Sequence, residues 1–278
     1  MSRRSRMRPL YIAIDTGGTF TDCVWVERGQ VRMLKVFSTP ADPSQAIVEA
    51  LEKIGLRTST VLLHGTTVGT NTLLQRKGAR VALVTTAGFE DAIEIGRQAR
   101  PKLYDFFFDR VEPLVAADLR FGVDERTSSD GEVLHAPSPA GLQSLSEKIQ
   151  QKVPEAIAIA LLFSFANPKT ENAVARVLER IGVPLSISHQ ILPEFREYER
   201  TSTVVVNAYL QPVMQRYLEN LDRRARAPIF VMQSSGGITA LSSAVREPVR
   251  TVLSGPAGGV VGAAYLARAK RKRSTVAG

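Results

Sequence analysis

A polar segment with two adjacent glycines limits the fold of this chain more than any other feature of the sequence. The segment, Asp15-Thr16-Gly17-Gly18-Thr19-Phe20-Thr21-Asp22, lies between Leu10 to Ile14 and Cys23 to Val26, which are both predicted to be strands. Glycine has no Cβ, so backbone N–H groups in such a loop can approach phosphate oxygens. Thr19 and Thr21 add hydroxyl donors, and Asp15 can hold Mg²⁺ or orient an attacking water. The segment therefore favours a phosphate-binding loop.

The alternative for the same segment is a polar β-hairpin turn. Eight residues are more than a tight hairpin needs, which disfavours this alternative. The segment also lacks the G-x-x-x-x-G-K-[ST] pattern of a P-loop and the G-x-G-x-x-G pattern of a dinucleotide fold. We therefore expect a phosphate loop that belongs to neither of these two classes.

Strands and helices are predicted to alternate along the chain. Asp42-Pro43 is a typical helix start, with Asp as the N-cap, and Gly55 ends this helix. Further strands are predicted at Val61 to Leu63, Arg80 to Thr85 and Ala156 to Phe163. This alternating order is typical of an α/β fold with a mixed or parallel sheet.

The last third of the chain is predicted to contain a long helix and two strands. The helix follows Arg200, and Pro212 should begin or kink it. The strands are expected at Pro228 to Met232 and at Thr251 to Ser254. The glycine-rich segment Leu253 to Gly259 then opens a helix with almost no side-chain bulk. Such residues allow either close approach of a ligand or tight helix packing, and the sequence alone leaves both open.

The net charge of +9 is located at the two ends of the chain. The basic residues there, with no acidic residue among them, are Arg3, Arg4, Arg6, Arg8, Arg268, Lys270, Arg271, Lys272 and Arg273. The body between them carries equal numbers of acidic and basic residues. We therefore expect solvated, disordered basic tails at 1–8 and 268–278. This distribution argues against specific nucleic-acid binding.

Neither a membrane span nor a disulfide is expected. No stretch approaches the roughly 18 uncharged apolar residues that a span needs. After the basic N-terminus only Pro9 to Ile14 precedes Asp15, which is too short for the apolar part of a signal peptide. Cys23 is the single cysteine, so an internal disulfide is impossible. The expected location is the reducing cytoplasm.

Several segments together carry a resemblance to a known family. They cover nearly all of residues 9 to 267, in the family's order: Ile14 to Asp22, His64-Gly65-Thr66-Thr67-Val68-Gly69-Thr70-Asn71, Gly88-Phe89-Glu90-Asp91, Ile95-Gly96-Arg97-Gln98, Arg100-Pro101, Leu103-Tyr104-Asp105, Arg196-Glu197-Tyr198-Glu199-Arg200, Asn207-Ala208-Tyr209, Gln233-Ser234-Ser235-Gly236-Gly237 and Ser254 to Gly259. On these segments the chain resembles the hydantoinase A/5-oxoprolinase family. The first segment is also similar to the first phosphate motif of the actin, heat-shock chaperone and sugar-kinase superfamily.

The resemblance implies an α/β, actin-like ATPase (ribonuclease H-like) fold, with an N-terminal lobe at 9–190 and an incomplete start of the second lobe at 191–267. It also implies that ATP and Mg²⁺ are used to open a cyclic amide, a hydantoin or 5-oxoproline. Phosphoryl transfer turns the oxygen of an unreactive lactam into a leaving group, so that water can add. Related subunits serve ATP-dependent carboxylation of acetone-type ketones. A sugar kinase shares the phosphate loop but does not explain the segments at His64 and at Arg196 to Arg200.

The resemblance further implies roles for individual residues. Those expected to hold the nucleotide, with Asp15 also binding Mg²⁺, are Asp15, Gly17, Gly18, Thr19, Thr21, Asp22, Gly255, Gly258 and Gly259. The catalytic candidates are Asp15 and His64, and the substrate candidates are Thr66, Thr67, Asn71, Arg97 and Arg100.

Each titratable candidate has a structural alternative. His64 is alternatively a hydrogen-bonded histidine at a strand end. Arg97 and Arg100 alternatively form salt bridges with Asp91 or Glu94. Arg196 to Arg200 are interpreted as a structural ion network. His135 and His189 are expected in surface segments without partners and are assigned no role.

The sequence departs from the family pattern after Gly262, where a second phosphate loop and an adenosine-binding segment are expected and a basic stretch follows. We therefore expect weak or no ATP hydrolysis by the isolated chain, and exposed apolar surface around Val260 to Leu266. A truncation, a frameshift or a split gene would each explain the departure. The expected partner is a hydantoinase B-type subunit or a complementing downstream chain. The alternative function is a non-catalytic remnant or interaction module.

Overall fold

The structure is a computed structural model that describes residues 9–39, 42–56, 59–98, 104 and 111–275. The chain divides into two compact units, which we call the first unit (Met1–Arg76 with Val213–Gly278) and the second unit (Lys77–Pro212). The domain boundary expected after residue 190 does not coincide with this division. The chain leaves the first unit after Arg76 and rejoins it at Val213.

Both units contain helices and strands. The first unit begins with β1 (Leu10–Thr16), β2 (Phe20–Glu27), β3 (Gln30–Phe37), α1 (Pro43–Ile54), β4 (Thr60–Thr66) and α2 (Val68–Leu74). The second unit contains β5 (Val81–Thr86), α3 (Ala92–Ile95), β6 (Arg120–Val123), β7 (Arg126–Thr127), β8 (Val133–His135), α4 (Pro139–Gln151), β9 (Ala156–Ala160), α5 (Lys169–Leu178), β10 (Leu185–Ile187) and α6 (Ser188–Ile191). Helix α7 (Glu197–Ala225) belongs to both units, and the first unit ends with β11 (Ile229–Met232), β12 (Ile238–Ala240), α8 (Leu241–Arg246) and α9 (Ser254–Thr275).

The first unit is built on a six-stranded mixed sheet with the order β12-β11-β4-β1-β2-β3. Strands β1, β4 and β11 are parallel, and the β1–β2, β2–β3 and β11–β12 pairs are antiparallel. Side chains of β1 alternate between buried and exposed, which is the pattern of a strand with one covered face. On the covered side, α1 packs against β1, β2 and β3. The Asp42 side chain caps this helix, as predicted, by accepting from the Ser44 backbone N–H at 3.2 Å.

The glycine-containing segment near the N-terminus is a hairpin. Strands β1 and β2 pair through Asp15 with Asp22 and Thr16 with Thr21, so only Gly17 to Thr19 form the connection. The expectation that the segment is too long for a hairpin is therefore wrong, because cross-strand pairing extends both strands into the polar residues. The hairpin does not exclude phosphate binding, because the connection between its strands still contains Gly17, Gly18 and Thr19.

The second unit is built on a four-stranded parallel sheet with the order β10-β9-β5-β6. Every residue of β5 and β9 is buried, as expected for central strands of a parallel sheet that is covered on both faces. Buried residues of α4 and α5, including Ile149, Val174 and Leu178, complete this core. The near-continuous apolar run that predicted β9 is thereby explained.

Helix α7 begins earlier than predicted, and of the two positions considered for Pro212 the structure has the one inside the helix. The helix already begins at Glu197, and Pro212 lies inside it rather than at its start. Proline removes one helical hydrogen bond, but Leu210, Met214 and Leu218 on either side are fully buried. Their burial stabilises the helix through the proline.

The last helix also differs from the prediction. The segment expected to be a strand at Thr251 to Ser254 instead follows a short 3₁₀ turn, Pro248–Thr251, and runs directly into α9. Helix α9 continues to Thr275, so its backbone is helical through most of the stretch expected to be a disordered tail. Residues 1–8 and 276–278 lie outside the described part of the chain. Within the described part, no helix has the length and apolar character of a membrane span.

Candidate functional site

A cavity of about 410 Å³ opens in the first unit beside the carboxyl ends of β1 and β4. Six of the predicted site residues line it: Asp15, Asp22, His64, Gly255, Gly258 and Gly259. The rest of its wall is mostly apolar and includes Val24, Met232 and Ile238. The carboxyl ends of parallel strands are where α/β proteins place ligands, so this cavity is the candidate site.

Two carboxylates lie side by side on the cavity wall. Asp15 and Asp22 are directly paired across β1 and β2, and their side chains share one face of the sheet. Partial burial raises the pKa of Asp15, and the neighbouring Asp22 carboxylate raises it further. Asp22 is paired with Lys35 of β3, whose Nζ lies 3.2 Å from its Oδ1. The two carboxylates therefore differ, because only Asp22 has a cationic partner among the described contacts.

The hairpin has Gly17 and Gly18 at its tip, whereas Thr21, in the following strand, points into the protein. Gly18 and Thr19 are exposed, and a Cβ at Gly18 would have no atom within 4 Å. The Gly17 N–H donates to the Phe20 carbonyl at 3.0 Å. Thr21 is fully buried, and its hydroxyl is hydrogen-bonded to Ser38 at 3.0 Å. Thr21 therefore supports the hairpin and does not line the cavity.

His64 lies at the carboxyl end of β4 and is almost completely buried, with 1% of its surface exposed. Its Nε2 is 2.7 Å from the Tyr217 hydroxyl. Burial lowers the pKa of His64 to about 4, and the Ile14 backbone carbonyl opposes this shift less strongly. The ring is therefore neutral at pH 7, and its geometry matches the hydrogen-bonded histidine at a strand end.

Tyr217 is a site residue that the sequence patterns did not single out. It lies on α7, is 6% exposed, and faces inward with Met214 and Leu221. Its helical spacing from these apolar residues places it on the buried face, and a buried tyrosine hydroxyl needs a polar partner. That spacing is the signal that could have identified it. Its partner, 153 positions away, was not deducible from spacing.

Three of the predicted substrate residues instead support the strand ends. Thr66 is buried, and its hydroxyl accepts from the Val68 N–H at 3.2 Å. The Thr67 hydroxyl donates to the Thr16 carbonyl at 3.1 Å, and the Asn71 amide donates to the Thr67 hydroxyl at 3.3 Å. None of these three is on the cavity wall. They fix the turn between β4 and α2.

The start of α9 forms the opposite part of the wall. Gly255, Gly258 and Gly259 line the cavity, and a Cβ at Gly255 or Gly259 would meet no atom within 4 Å. At these two positions the helix surface where a side chain would project is therefore open, which favours ligand approach over tight helix packing. At Gly258 a Cβ would lie 3.3 Å from the Met232 Cε.

Two side chains fix the position where α9 begins. The Ser254 hydroxyl donates to the Thr66 carbonyl at 3.3 Å, and the Leu253 N–H donates to the Thr70 hydroxyl at 3.1 Å. Leu253 has a φ of 60°, a left-handed conformation that is unfavourable for leucine. Further along α9, Val260, Val261, Tyr265 and Leu266 are exposed, as the sequence predicts.

The predicted arginines lie elsewhere in the chain. Arg97 belongs to the second unit, is exposed, and forms an ion pair with Glu199. Asp91 and Glu94, its expected partners, instead bind Arg120 at 2.8 and 2.5 Å. Arg100 lies outside the described residues.

The second unit contains a buried charged cluster at the carboxyl ends of β9 and β10. Glu171 is fully buried and accepts hydrogen bonds from the Leu161 N–H, the Ser188 hydroxyl, the His189 N–H and the His189 Nδ1. Arg200, also fully buried, donates to the Leu161 carbonyl at 2.6 Å and forms an ion pair with Glu197. The expectation that His189 has no partner is therefore wrong. His135 also has an acidic neighbour, with its Nε2 3.3 Å from Asp124.

Comparisons with known proteins agree with this geometry. Residues 11–182 match the family model of the hydantoinase/oxoprolinase N-terminal region, and residues 200–277 match that of hydantoinase/oxoprolinase. An uncharacterized protein of Methanocaldococcus jannaschii is 38% identical over 92% of this chain and 40% of its own. Caprolactamase subunit alpha of Pseudomonas jessenii is 33% identical over 88% of this chain and 38% of its own.

A solved structure supports the fold. The nucleotide-free structure of acetone carboxylase superposes with a TM-score of 0.83 and 26% identity, over 95% of this chain and 41% of that one. This likeness confirms the predicted actin-like ATPase fold class. The chain spans about two fifths of the length of the two relatives named above. Because the two family models together match most of its residues, the chain belongs to the hydantoinase/oxoprolinase family.

Proposed function

We propose that this chain is the nucleotide-binding part of an ATP-dependent cyclic-amide hydrolase that acts on a lactam or hydantoin. One observation carries the proposal: Asp15 and Asp22 line the same cavity as the glycine-rich start of α9. The supporting relative is caprolactamase subunit alpha. The proposal places the reaction in the cytoplasm and includes a partner subunit of the hydantoinase B type.

The two sides of the cavity suit the two parts of a magnesium nucleotide. The first turn of a helix presents unpaired N–H groups and the positive end of the helix dipole, which attract phosphate oxygens. The glycines of α9 leave that turn open to a ligand. Among the described residues, no group of three or more His, Cys, Asp and Glu side chains is placed to hold a metal alone. Mg²⁺ commonly binds one or two carboxylates together with substrate phosphates, and Asp15 with Asp22 fits that requirement.

The chemistry assigned to this chain is mainly positioning. When bound, Mg²⁺ would neutralise charge on the phosphoryl group that passes from ATP to the lactam oxygen. Asp15 would orient the metal's water shell or the attacking water, and its raised pKa suits it to accept a proton. Lys35 would hold the Asp22 carboxylate in place. Gly17, Gly18 and Thr19 would contact phosphate from the hairpin tip.

For the remaining predicted site residues we propose mainly indirect roles. Thr21, Thr66, Thr67 and Asn71 would act by supporting the strand ends, because their side chains are bonded there. His64 would act through its hydrogen bond rather than as an acid or base. Arg97 remains a candidate for binding a carboxylate or phosphate, as does Arg100.

A second candidate function is a subunit of an ATP-dependent ketone carboxylase. The specific support is the superposition on acetone carboxylase, which covers 95% of this chain. Both candidates require the same nucleotide site and differ in the group that is phosphorylated. The substrate must therefore be identified by assay.

The test begins with binding of magnesium and the non-hydrolysable analogue AMP-PNP to the purified chain by titration calorimetry. Magnesium-dependent binding is expected, and Asp15→Asn should weaken it by about ten- to a hundredfold. The matched control is Asp222→Asn, an exposed aspartate of the first unit that is not on the cavity wall. Absence of binding, or equal affinity in Asp15→Asn, would contradict the proposal.

Phosphate release then distinguishes the two functions. The chain is incubated with MgATP and ε-caprolactam, 5-oxoproline or hydantoin, or with acetone or acetophenone and bicarbonate, alone and with a candidate partner subunit. Stimulation by a cyclic amide supports the first candidate. Stimulation only by a ketone with bicarbonate supports the second.

A further inference from the structure

We propose that Tyr217 is a positioning residue of the cavity, acting through its hydrogen bond to His64 to hold the strand ends that carry Asp15 and Gly65. This inference rests on the proposed function, since it assigns a role at the same nucleotide site. Tyr217 itself is absent from the cavity wall, and His64 lies between it and the cavity.

The contact between the two side chains is short and enclosed. The His64 Nε2 lies 2.7 Å from the Tyr217 hydroxyl, and both side chains are more than nine-tenths buried. The rings lie 5.8 Å apart at 57°. A buried hydroxyl or imidazole that loses its partner has no water to replace it, so the cost of breaking this contact keeps the two groups together.

The hydroxyl of Tyr217 has further polar neighbours at the same strand ends. Burial raises the pKa of Tyr217, and the hydroxyls of Thr66 and Thr16 beside it oppose that shift. Thr16 ends β1 and Thr66 ends β4. Through its hydrogen bond to His64, Tyr217 of α7 therefore contacts the end of β4, the strand that pairs directly with β1.

The register of the sheet carries this constraint to the cavity. His64 is paired with Ile14 of β1 and with Val231 of β11, so the next residues along β1 and β4 are Asp15 and Gly65. A Cβ at Gly65 would lie only 3.1 Å from the Asp15 Oδ1. The Asp15 carboxylate therefore lies over the Gly65 backbone, in the space that a side chain at this position would fill, and a shift of β4 against β1 would change this packing.

The same constraint reaches the other side of the cavity. The Thr66 carbonyl accepts from the Ser254 hydroxyl at 3.3 Å, and Ser254 is the first residue of α9. The carboxylate side and the glycine side of the cavity are thus both attached to the end of β4. Tyr217 is hydrogen-bonded to that end of β4 without lining the cavity.

The experiment compares Tyr217→Phe with Tyr209→Phe. Both tyrosines are on α7 and 6% exposed, but no hydrogen bond of the Tyr209 hydroxyl is found among the described contacts. Two quantities are measured for each variant: the affinity for AMP-PNP with Mg²⁺, and backbone hydrogen exchange in the peptide from Asp15 to Thr19 without ligand. Thermal unfolding confirms that each variant folds.

Tyr217→Phe is expected to weaken binding about fivefold to tenfold and to speed exchange at Asp15 to Thr19, whereas Tyr209→Phe changes neither. Two substitutions of the partner test the bond itself. His64→Gln retains a polar group near the Nε2 position and should keep most of the affinity, and His64→Leu should lose as much as Tyr217→Phe. The double variant Tyr217→Phe/His64→Leu should bind no worse than either single variant.

Two results would overturn the inference. The first is equal affinity and equal exchange in Tyr217→Phe and Tyr209→Phe. The second is additive loss in the double variant, which would mean that His64 contacts the ligand independently of Tyr217. If the unsubstituted chain binds no nucleotide, the proposed function itself fails and hydrogen exchange alone decides the inference. In that case unchanged exchange in Tyr217→Phe removes the positioning role, and faster exchange retains it.

Discussion

Two polar clusters lie at the carboxyl ends of parallel strands in this molecule, and they are made of opposite kinds of side chain. The cluster of the first unit, His64, Tyr217, Thr16 and Thr66, contains no charged group at pH 7 and borders an open cavity. The cluster of the second unit is built around the acidic Glu171 and the basic Arg200, which are both fully buried.

The difference follows from what burial costs each kind of group. A buried charge needs fixed partners, and Glu171 has four hydrogen-bond donors around it. The Nε and Nη1 of Arg200 have no hydrogen-bond partner among the described residues, but the Glu171 carboxylate is fully engaged within the fold. Neutral hydroxyl and imidazole groups need fewer partners and can lie directly behind a binding surface. We therefore assign the charged cluster to stability and the neutral cluster to the site.

The largest expected effect is on the charged cluster. Glu171→Ala leaves the buried Leu161 N–H, the part-buried His189 N–H and the Ser188 hydroxyl without this acceptor, so the free energy of unfolding should fall by about 3 to 5 kcal/mol. Urea unfolding measures it, with Glu179→Ala, an exposed glutamate directly after α5, as the control. A loss no larger than that of the control would remove the distinction between the clusters.

The second-largest effect is a loss of stability at acidic pH that arises from His64 in the neutral cluster. The pKa of His64 is about 4 in the folded chain and about 6.5 unfolded, so between these values the unfolded state binds more protons. His64 therefore contributes stability that is complete above pH 6.5 and lost as the pH falls towards 4, by up to about 3 kcal/mol. Urea unfolding at pH 7, 5.5 and 4.5 should show a steeper fall for the unsubstituted chain than for His64→Gln. Equal slopes would mean that His64 already titrates near its ordinary pKa.

A smaller effect separates stability from binding on α9. Gly259→Ala adds a methyl group where no atom lies within 4 Å, so the unliganded helix should gain up to about 1 kcal/mol. The same methyl group protrudes into the cavity and should weaken nucleotide binding. Gly262→Ala is the control, since it is equally open but does not line the cavity. Unchanged affinity in Gly259→Ala would contradict a ligand approaching this turn.

The smallest effect on stability is expected at Arg97, whose ion pair with Glu199 is exposed to solvent. Arg97→Ala should unfold like the unsubstituted chain, while Arg120→Ala, which removes a buried guanidinium between Asp91 and Glu94, should be clearly less stable. Loss of lactam-stimulated phosphate release in stable Arg97→Ala would assign this residue to the substrate. Full activity would withdraw it from the candidates.

Local signals in the sequence predicted much of the first unit. The strand from Leu10 to Ile14, the Asp42 cap and the end of α1 at Gly55 each depend on neighbouring residues, and the structure has all three. The polar residues from Asp15 to Asp22 were predicted to bind a ligand, and two of them, Asp15 and Asp22, line the cavity. Polar residues extended β1 and β2 beyond their predicted ends because cross-strand pairing at Thr16 and Thr21 outweighs their loop preference.

Contacts between distant residues could not be predicted in the same way. Tyr217 meets His64 from 153 positions away, and Arg97 meets Glu199 from 102 positions away. The acids near Arg97 in sequence were available on the same short segment, but they are bound by Arg120. The polar residues around His189 indicated a surface position, whereas its ring is hydrogen-bonded to the buried Glu171, 18 positions away. Such long-range hydrogen bonds and ion pairs depend on tertiary packing, which cannot be deduced from local sequence patterns.

The left-handed conformation of Leu253 has a consequence for engineering this fold. A leucine in this conformation costs about 1 to 2 kcal/mol, and glycine would avoid most of that cost. The backbone is nevertheless directed by this one residue as it enters α9, between hydrogen bonds to Thr70 and Thr66. Leu253→Gly would raise the melting temperature if the hydrogen bonds to Thr70 and Thr66 alone determine the direction of α9. If the leucine side chain also restricts the direction in which α9 leaves the turn, the same change would not raise the melting temperature and would make the cavity wall formed by α9 less well defined.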